Sequence, residues 1–204
     1  MNTRIIISII IISLGSIAAM LPKTKTSSTQ LTADQLLLEM KRQTYVVPVD
    51  ELADLLINND PSILLIDVRD TVEYQKYHLP GAINIPLKNL LDPEWIPYVD
   101  QISQKNIFYS NGTTLANEAW IVSKQLGFRN NYVLGGGLNA WFSTIIRPEK
   151  PASTDPGEAW ALYETRKAAS LYFTGSKSTM QEENAVALPP VPRKKKTRVK
   201  GGCS

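Results

Sequence analysis

The chain has 204 residues, 43% of them hydrophobic, which suffices for one domain with a real core plus appendages. Its single cysteine, Cys203, excludes an intramolecular disulfide. The net charge of +3 does not describe a basic folded body: Arg193, Lys194, Lys195, Lys196, Arg198 and Lys200 crowd the C-terminal end, and without these six the remainder carries −3.

At the N-terminal end Arg4 precedes an isoleucine-rich run, residues 5–14, followed by the small residues Gly15, Ser16, Ala18 and Ala19. Charged, apolar and small regions in that order form a signal peptide, with cleavage expected after about Ala18. The apolar run reaches Leu21 and is 17 residues long, at the short edge of what crosses a bilayer, so an uncleaved anchor stays open beside the cleaved form. Either way residues 1–21 imply an exported protein of the cell envelope or periplasm. No cysteine follows the run, which excludes a bacterial lipoprotein anchor.

Residues 22–45 read as a Thr/Ser/Lys-rich spacer and a short helix, capped by Thr32 and carrying Leu36, Leu37, Leu38 and Met40. Residues 46–49 form an edge-like strand, and Asp50 is placed to cap a helix bearing Leu52, Leu55 and Leu56. Residues 63–66 are apolar on both faces, as a central parallel strand requires. A helical turn over 73–77, a strand over 82–85 and a helical segment over 87–91 follow, broken by Pro93 and Pro97. Then come a strand over 106–109, a loop, a helix over 115–126, a strand over 132–134 and a last helix after Gly136-Gly137. Strands alternating with helices predict an α/β domain over 46–147, a parallel sheet covered on both faces.

Beyond it, Pro148, Pro151 and Pro156 mark a linker, and residues 148–175 combine that linker with a C-terminal helix starting at Asp155-Pro156-Gly157-Glu158 and stopping at Gly175. Leu162, Ala169, Tyr172 and Phe173 fall near one face, which predicts docking on the domain. The alternative is a partner-binding helix with Trp160, Tyr163, Tyr172 and Phe173 exposed. Residues 176–204 turn polar and proline-bearing and are expected to be a disordered basic tail ending in Gly-Gly-Cys-Ser.

The loop Ser110-Asn111-Gly112-Thr113-Thr114-Leu115-Ala116 sits where α/β proteins place their chemistry, yet it holds no Cys, His, Asp, Glu, Lys or Arg. The backbone N–H groups of Gly112, Thr113 and Thr114, at a helix start, suit sulfate, phosphate or a carboxylate, with Ser110 and Asn111 beginning the same loop. Alternatively Thr113 or Thr114 caps the helix. Ser110 as a nucleophile would need a base, and the chain's one histidine is His78.

The surrounding motifs resemble the rhodanese family. They are Asp67-Val68-Arg69, Glu73-Tyr74, His78-Leu79-Pro80-Gly81-Ala82, Gly127-Phe128 and Gly135-Gly136-Gly137 before Ala140-Trp141, in the family's order. The resemblance covers about 48–145 and implies a rhodanese-like α/β fold. The family loop reads Cys-x-x-Gly-x-Arg-Ser. Laid on this chain without a gap, it puts Ser110 at the cysteine, Thr113 at the glycine, Leu115 at the arginine and Ala116 at the serine. The family moves sulfane sulfur through a persulfide on that cysteine; a serine hydroxyl ionises too weakly and cannot hold a persulfide. Leu115 removes the guanidinium that clamps an anionic donor. The resemblance also implies structural roles for Asp67, Arg69 and His78.

The expected function is therefore a non-catalytic module binding a protein partner or a small anion, without metal or cofactor. The alternative is thiol-dependent sulfur transfer or redox chemistry at Cys203, beside a glycine hinge and six cations that lower its pKa. If the chain is an enzyme, the class implied is a thiosulfate sulfurtransferase. A serine or phosphatase-like hydrolase lacks both base and loop arginine. Arg193, Lys194, Lys195, Lys196, Arg198 and Lys200 suit an anionic membrane surface or no partner at all; without interleaved aromatics, nucleic acid is not expected.

Overall fold

The computed structural model describes residues 31–175. Helix α1 (Ala33–Arg42) opens with Thr32 as N-cap, its hydroxyl accepting from the Gln35 N–H while the Gln35 side chain accepts from the Thr32 N–H. The order is then β1 (Val46–Val47), α2 (Val49–Ile57), β2 (Ile63–Asp67), α3 (Thr71–Lys76), β3 (Ile83–Asn84) and a 3-10 turn (Leu87–Asn89). It continues with α4 (Ile96–Val99), β4 (Lys105–Tyr109), α5 (Thr114–Gln125), β5 (Asn131–Leu134), α6 (Gly137–Ala140), a π-helical segment (Trp141–Ile146) and α7 (Gly157–Gly175).

All strand pairs are parallel, in the order β1-β5-β4-β2-β3. Parallel strands need crossovers, and crossovers bury both sheet faces. Alternate residues accordingly feed two cores. Leu64, Ile66, Phe108 and Val133 pack with Trp120 of α5, while Leu65, Ile107, Tyr109 and Leu134 pack with Leu52 of α2 and Trp141. Both tryptophan side chains are wholly buried.

Two local expectations are corrected. Asp50 does not cap α2: Pro48, extended and without an N–H to lose, holds the N-cap position. Asp50 lies in the first turn and takes a fork from Arg166 of α7, Nε at 2.8 Å and Nη2 at 2.7 Å. Leu162 is exposed rather than docked. It shares a helix face with Ala169 but lies two turns, about 10 Å, nearer the N-terminus. The docked stretch is Arg166, Ala169, Ser170 and Phe173: Ala169 is buried, the Ser170 hydroxyl donates to the Ile146 carbonyl at 2.7 Å, and Phe173 meets Trp141 edge-on at 4.9 Å. Trp160, Tyr163, Tyr172 and Phe173 are all partly buried, and α7 is a cover of the second core.

Among the described residues no helix is long and apolar enough to cross a membrane. The N-terminal apolar run, the basic tail and Cys203 lie outside the described residues.

Candidate functional site

The strands β2 and β4 are neighbours whose continuations diverge. From β2 the chain crosses through α3 to β3 on one side; from β4 it crosses through α5 to β5 on the other. The crevice beyond the carboxyl ends of two such strands is where open α/β sheets hold ligands. Register puts Asp67 opposite Tyr109 at that edge, so Val68 and Arg69 continue one strand where Ser110 and Asn111 continue the other.

Asp67 is wholly buried and Arg69 nearly so. The Arg69 Nη2 donates to Asp67 Oδ2 at 2.6 Å and to the Tyr77 carbonyl at 2.7 Å, Nε donates to Asp67 Oδ1 at 3.0 Å, and the Arg69 N–H donates to the same oxygen at 2.9 Å. Burial alone would lower the Arg69 pKa; the hydrogen bonds and charge of Asp67 overcome it and hold the guanidinium above its ordinary value. The remaining reach of Arg69 goes to the loop: Nη1 donates to Asn111 Oδ1 at 3.0 Å, and Asn111 Nδ2 donates to Glu73 Oε1 at 3.2 Å. The pair therefore braces the loop against α3.

Tyr109 lies on the other side of Asp67. Its buried hydroxyl accepts the Leu79 N–H at 3.1 Å, and burial together with the Asp67 charge pushes its pKa far above the ordinary phenol value. Below about pH 10 the phenol is protonated in both folded and unfolded chains; above it only the unfolded chain releases the proton, so stability falls as pH rises. Tyr109→Phe is expected to reduce that alkaline fall by up to about 1.4 kcal/mol per pH unit. At neutral pH the same change costs about 1–3 kcal/mol by leaving the Leu79 N–H unpaired. Urea unfolding at a series of pH values checks both.

The loop turns its carbonyls inward. The Leu138 N–H donates to the Ser110 carbonyl and the Asn139 N–H to the Asn111 carbonyl, both at 2.9 Å. Gly137, at φ +58, lies so close that a β-carbon there would collide with the Ser110 and Gly112 carbonyl oxygens. Ser110 is 2% exposed and its hydroxyl donates to the Gly112 carbonyl at 2.7 Å. Thr113 occupies the N-cap position of α5 but is already helical (φ −92, ψ −19), and its side chain makes no capping bond. This corrects the capping expectation for Thr113, since a capping side chain reaches back to the second or third helical N–H from an extended backbone, which Thr113 does not have. Among the described residues no backbone acceptor takes the N–H of Gly112, Thr113 or Thr114. Leu115, next along the helix, is 40% exposed.

His78 is not joined to Ser110. Its Nδ1 pairs with the Tyr74 carbonyl at 3.0 Å and its ring stacks on Tyr74 at 4.1 Å, while the Tyr74 hydroxyl donates to the Ala82 carbonyl. Among the described residues no three His, Cys, Asp or Glu side chains gather to hold a metal ion. The structure brings Asp67, Arg69 and the loop, which the sequence offered separately, to one sheet edge. Sequence reasoning missed Tyr109, the bridging part of Asn111 and the packing part of Gly137. The signal for Tyr109 was its position directly before the loop; Asn111 and Gly137 had only the glycine run to point to them.

This edge, with a loop at the switch point of a parallel sheet and a buried Asp–Arg pair beneath it, is the candidate site of an α/β domain. The family model of the Rhodanese-like domain matches residues 48–144. Thiosulfate:glutathione sulfurtransferase of Saccharomyces cerevisiae is 30% identical over 105 residues, 46% of this chain and 75% of that protein. The Homo sapiens centrosomal protein of 41 kDa is 36% identical over 86 residues, 39% of this chain but only 23% of that protein. Among solved structures, the BH2092 protein of Bacillus halodurans is 27% identical, with 53% of this chain and 78% of that one covered and a TM-score of 0.45. The chain belongs to the rhodanese-like domain family.

Proposed function

We propose that this chain is a rhodanese-like module that binds a protein partner or a small anion and does not transfer sulfur at its loop. One observation carries the reading: Ser110, aligned with the family's persulfide-carrying cysteine, is buried and donates its hydroxyl to the Gly112 carbonyl. An oxygen so placed supplies neither the polarisable thiolate nor the accessible pKa that sulfane transfer needs. Leu115 puts an apolar side chain where the family's arginine aligns. The N–H groups of Gly112, Thr113 and Thr114, facing the positive end of α5, support the anion.

The test is thiosulfate-to-cyanide sulfur transfer by the full chain. The native protein is expected to be inactive, and Ser110→Cys/Leu115→Arg to gain turnover. Native activity that survives in Cys203→Ser would overturn the reading. Native activity abolished by Cys203→Ser would establish the second one, in which the sole cysteine, beside Gly201-Gly202 and a basic run, carries the sulfur.

We also propose export to the cell envelope, supported by Arg4 before the isoleucine run. Mass spectrometry of the membrane and soluble fractions distinguishes cleavage after about Ala18 from retention. Residues 193–200 are proposed to lie on anionic lipid, which vesicle flotation with and without phosphatidylglycerol measures.

A further inference from the structure

We infer that the proline-rich segment 185–192 of this chain folds back into a cleft beside the end of α7. The cleft has a volume of about 290 Å³; Leu55, Leu56, Ile63, Leu65, Pro80 and Tyr172 give it an apolar lining, and Asn59, Asp60 and Gly81 add a polar side. It lies between the end of α2, the start of β2 and the turn before β3, on the sheet face that α7 otherwise covers. Its size is at the bottom of the range for small-molecule sites, about 300–1,000 Å³, and suits a few side chains of a peptide better than a ligand.

The choice of occupant follows from where the described chain ends. Tyr172 is one wall of the cleft, and the described part of α7 ends at Gly175, three residues later, so the chain continues from near the cleft's own rim. The next apolar stretch is Ala185-Val186-Ala187-Leu188-Pro189-Pro190-Val191-Pro192, after nine intervening residues that reach roughly 30 Å when extended. Its prolines favour a polyproline conformation, which enters an apolar groove lined partly by an aromatic ring at low ordering cost. Charge agrees. Asp60 also lines the cleft and enters no ion pair among the described residues, while Arg193 and three lysines follow Pro192 directly. Docking of 185–192 would bring those cations to the Asp60 side and give the basic run a fixed starting point.

The test uses the full chain with Leu188→p-benzoylphenylalanine, illuminated in the producing cells and read by peptide mass spectrometry. The expected product is an intramolecular crosslink to peptides containing residues 55–60 or 80–81, in a chain that still runs as a monomer. The same reporter at Gln181 is expected to give several-fold less of it. Asp60→Asn, which removes the charge but keeps an acceptor for the Ser62 N–H, is expected in the Leu188 reporter background to lower the yield several-fold with thermal unfolding unchanged. Equal yields from both positions, or no crosslink, would overturn the inference. A crosslinked dimer would overturn it in favour of a second copy, and a crosslink to another protein in favour of an outside partner.

Discussion

Gly137→Ala is expected to lose about 2–4 kcal/mol of unfolding free energy, a severe cost for the addition of one methyl group. Two costs combine. At φ +58 the backbone lies in the left-handed region, where any L side chain is strained by about 1–2 kcal/mol. The added carbon would also meet the Ser110 and Gly112 carbonyl oxygens and stand 3.0 Å from that of Asn111. These are backbone atoms, two of them from residues whose carbonyls accept the Leu138 and Asn139 N–H groups, so the loop must move and those bonds must lengthen. Gly81→Ala is the control. It has nearly the same strain, φ +72, but nothing within 4 Å of the added carbon, and it is expected to cost only about 1 kcal/mol. Urea denaturation of the two variants separates strain from collision. Equal losses would show that the loop yields freely. In the Ser110→Cys/Leu115→Arg background, Gly137→Ala is further expected to remove any turnover gained, because the loop that presents position 110 rests on Gly137.

Asp67→Ala is expected to cost about 3–5 kcal/mol. The change leaves the Arg69 guanidinium, 5% exposed, with only the Tyr77 carbonyl and Asn111 Oδ1 as partners. Arg69→Met strands the opposite charge: a carboxylate with no exposure, facing the Tyr109 phenol. Each single variant therefore suffers chiefly from the uncompensated charge that remains. Asp67→Leu/Arg69→Met, which removes both, is expected to lose much less than the sum of the single losses. A double-mutant cycle in urea checks this; additive losses would mean that the two groups act independently and that the 2.6 Å contact does not govern the site. The Arg69–Asn111 bond also predicts that the single variants loosen the loop, read as faster amide exchange at Gly112 and Thr113.

Features set by neighbours within one turn were readable directly. The Thr32 cap followed from a hydroxyl three residues ahead of Gln35, and the edge position of β1 from a short apolar pair before proline. Features set by register were not. Asn106 sits in a strand that reads as apolar, yet it is wholly buried and meets Asn131 of the adjacent strand at 2.9 Å. Gln101 donates to Asn106 Oδ1 at 2.6 Å, and the Tyr98 and Val99 carbonyls take the amide protons of Asn106 and Asn131. An isolated Asn in a strand carries no sign of such a network, because its partners come from other elements. Asp50 is a second case. Its acidity near a helix start pointed to a cap, whereas its partner, Arg166, is 116 positions away.

By itself the sequence determined the alternation of strand and helix, the parallel α/β class, the rhodanese-like motif order and the absence of any Cys, His or charged side chain from residues 110–116. Each of these is a matter of residue type and local period. Tertiary structure alone decided that the Ser110 hydroxyl turns inward to Gly112, that Asn111 ties Arg69 to Glu73 across 42 and 38 positions, and that the loop rests on Gly137. The physical reason is that these contacts exist only once β2 and β4 pair in register, and that register is chosen by the burial of both sheet faces together rather than by any one segment.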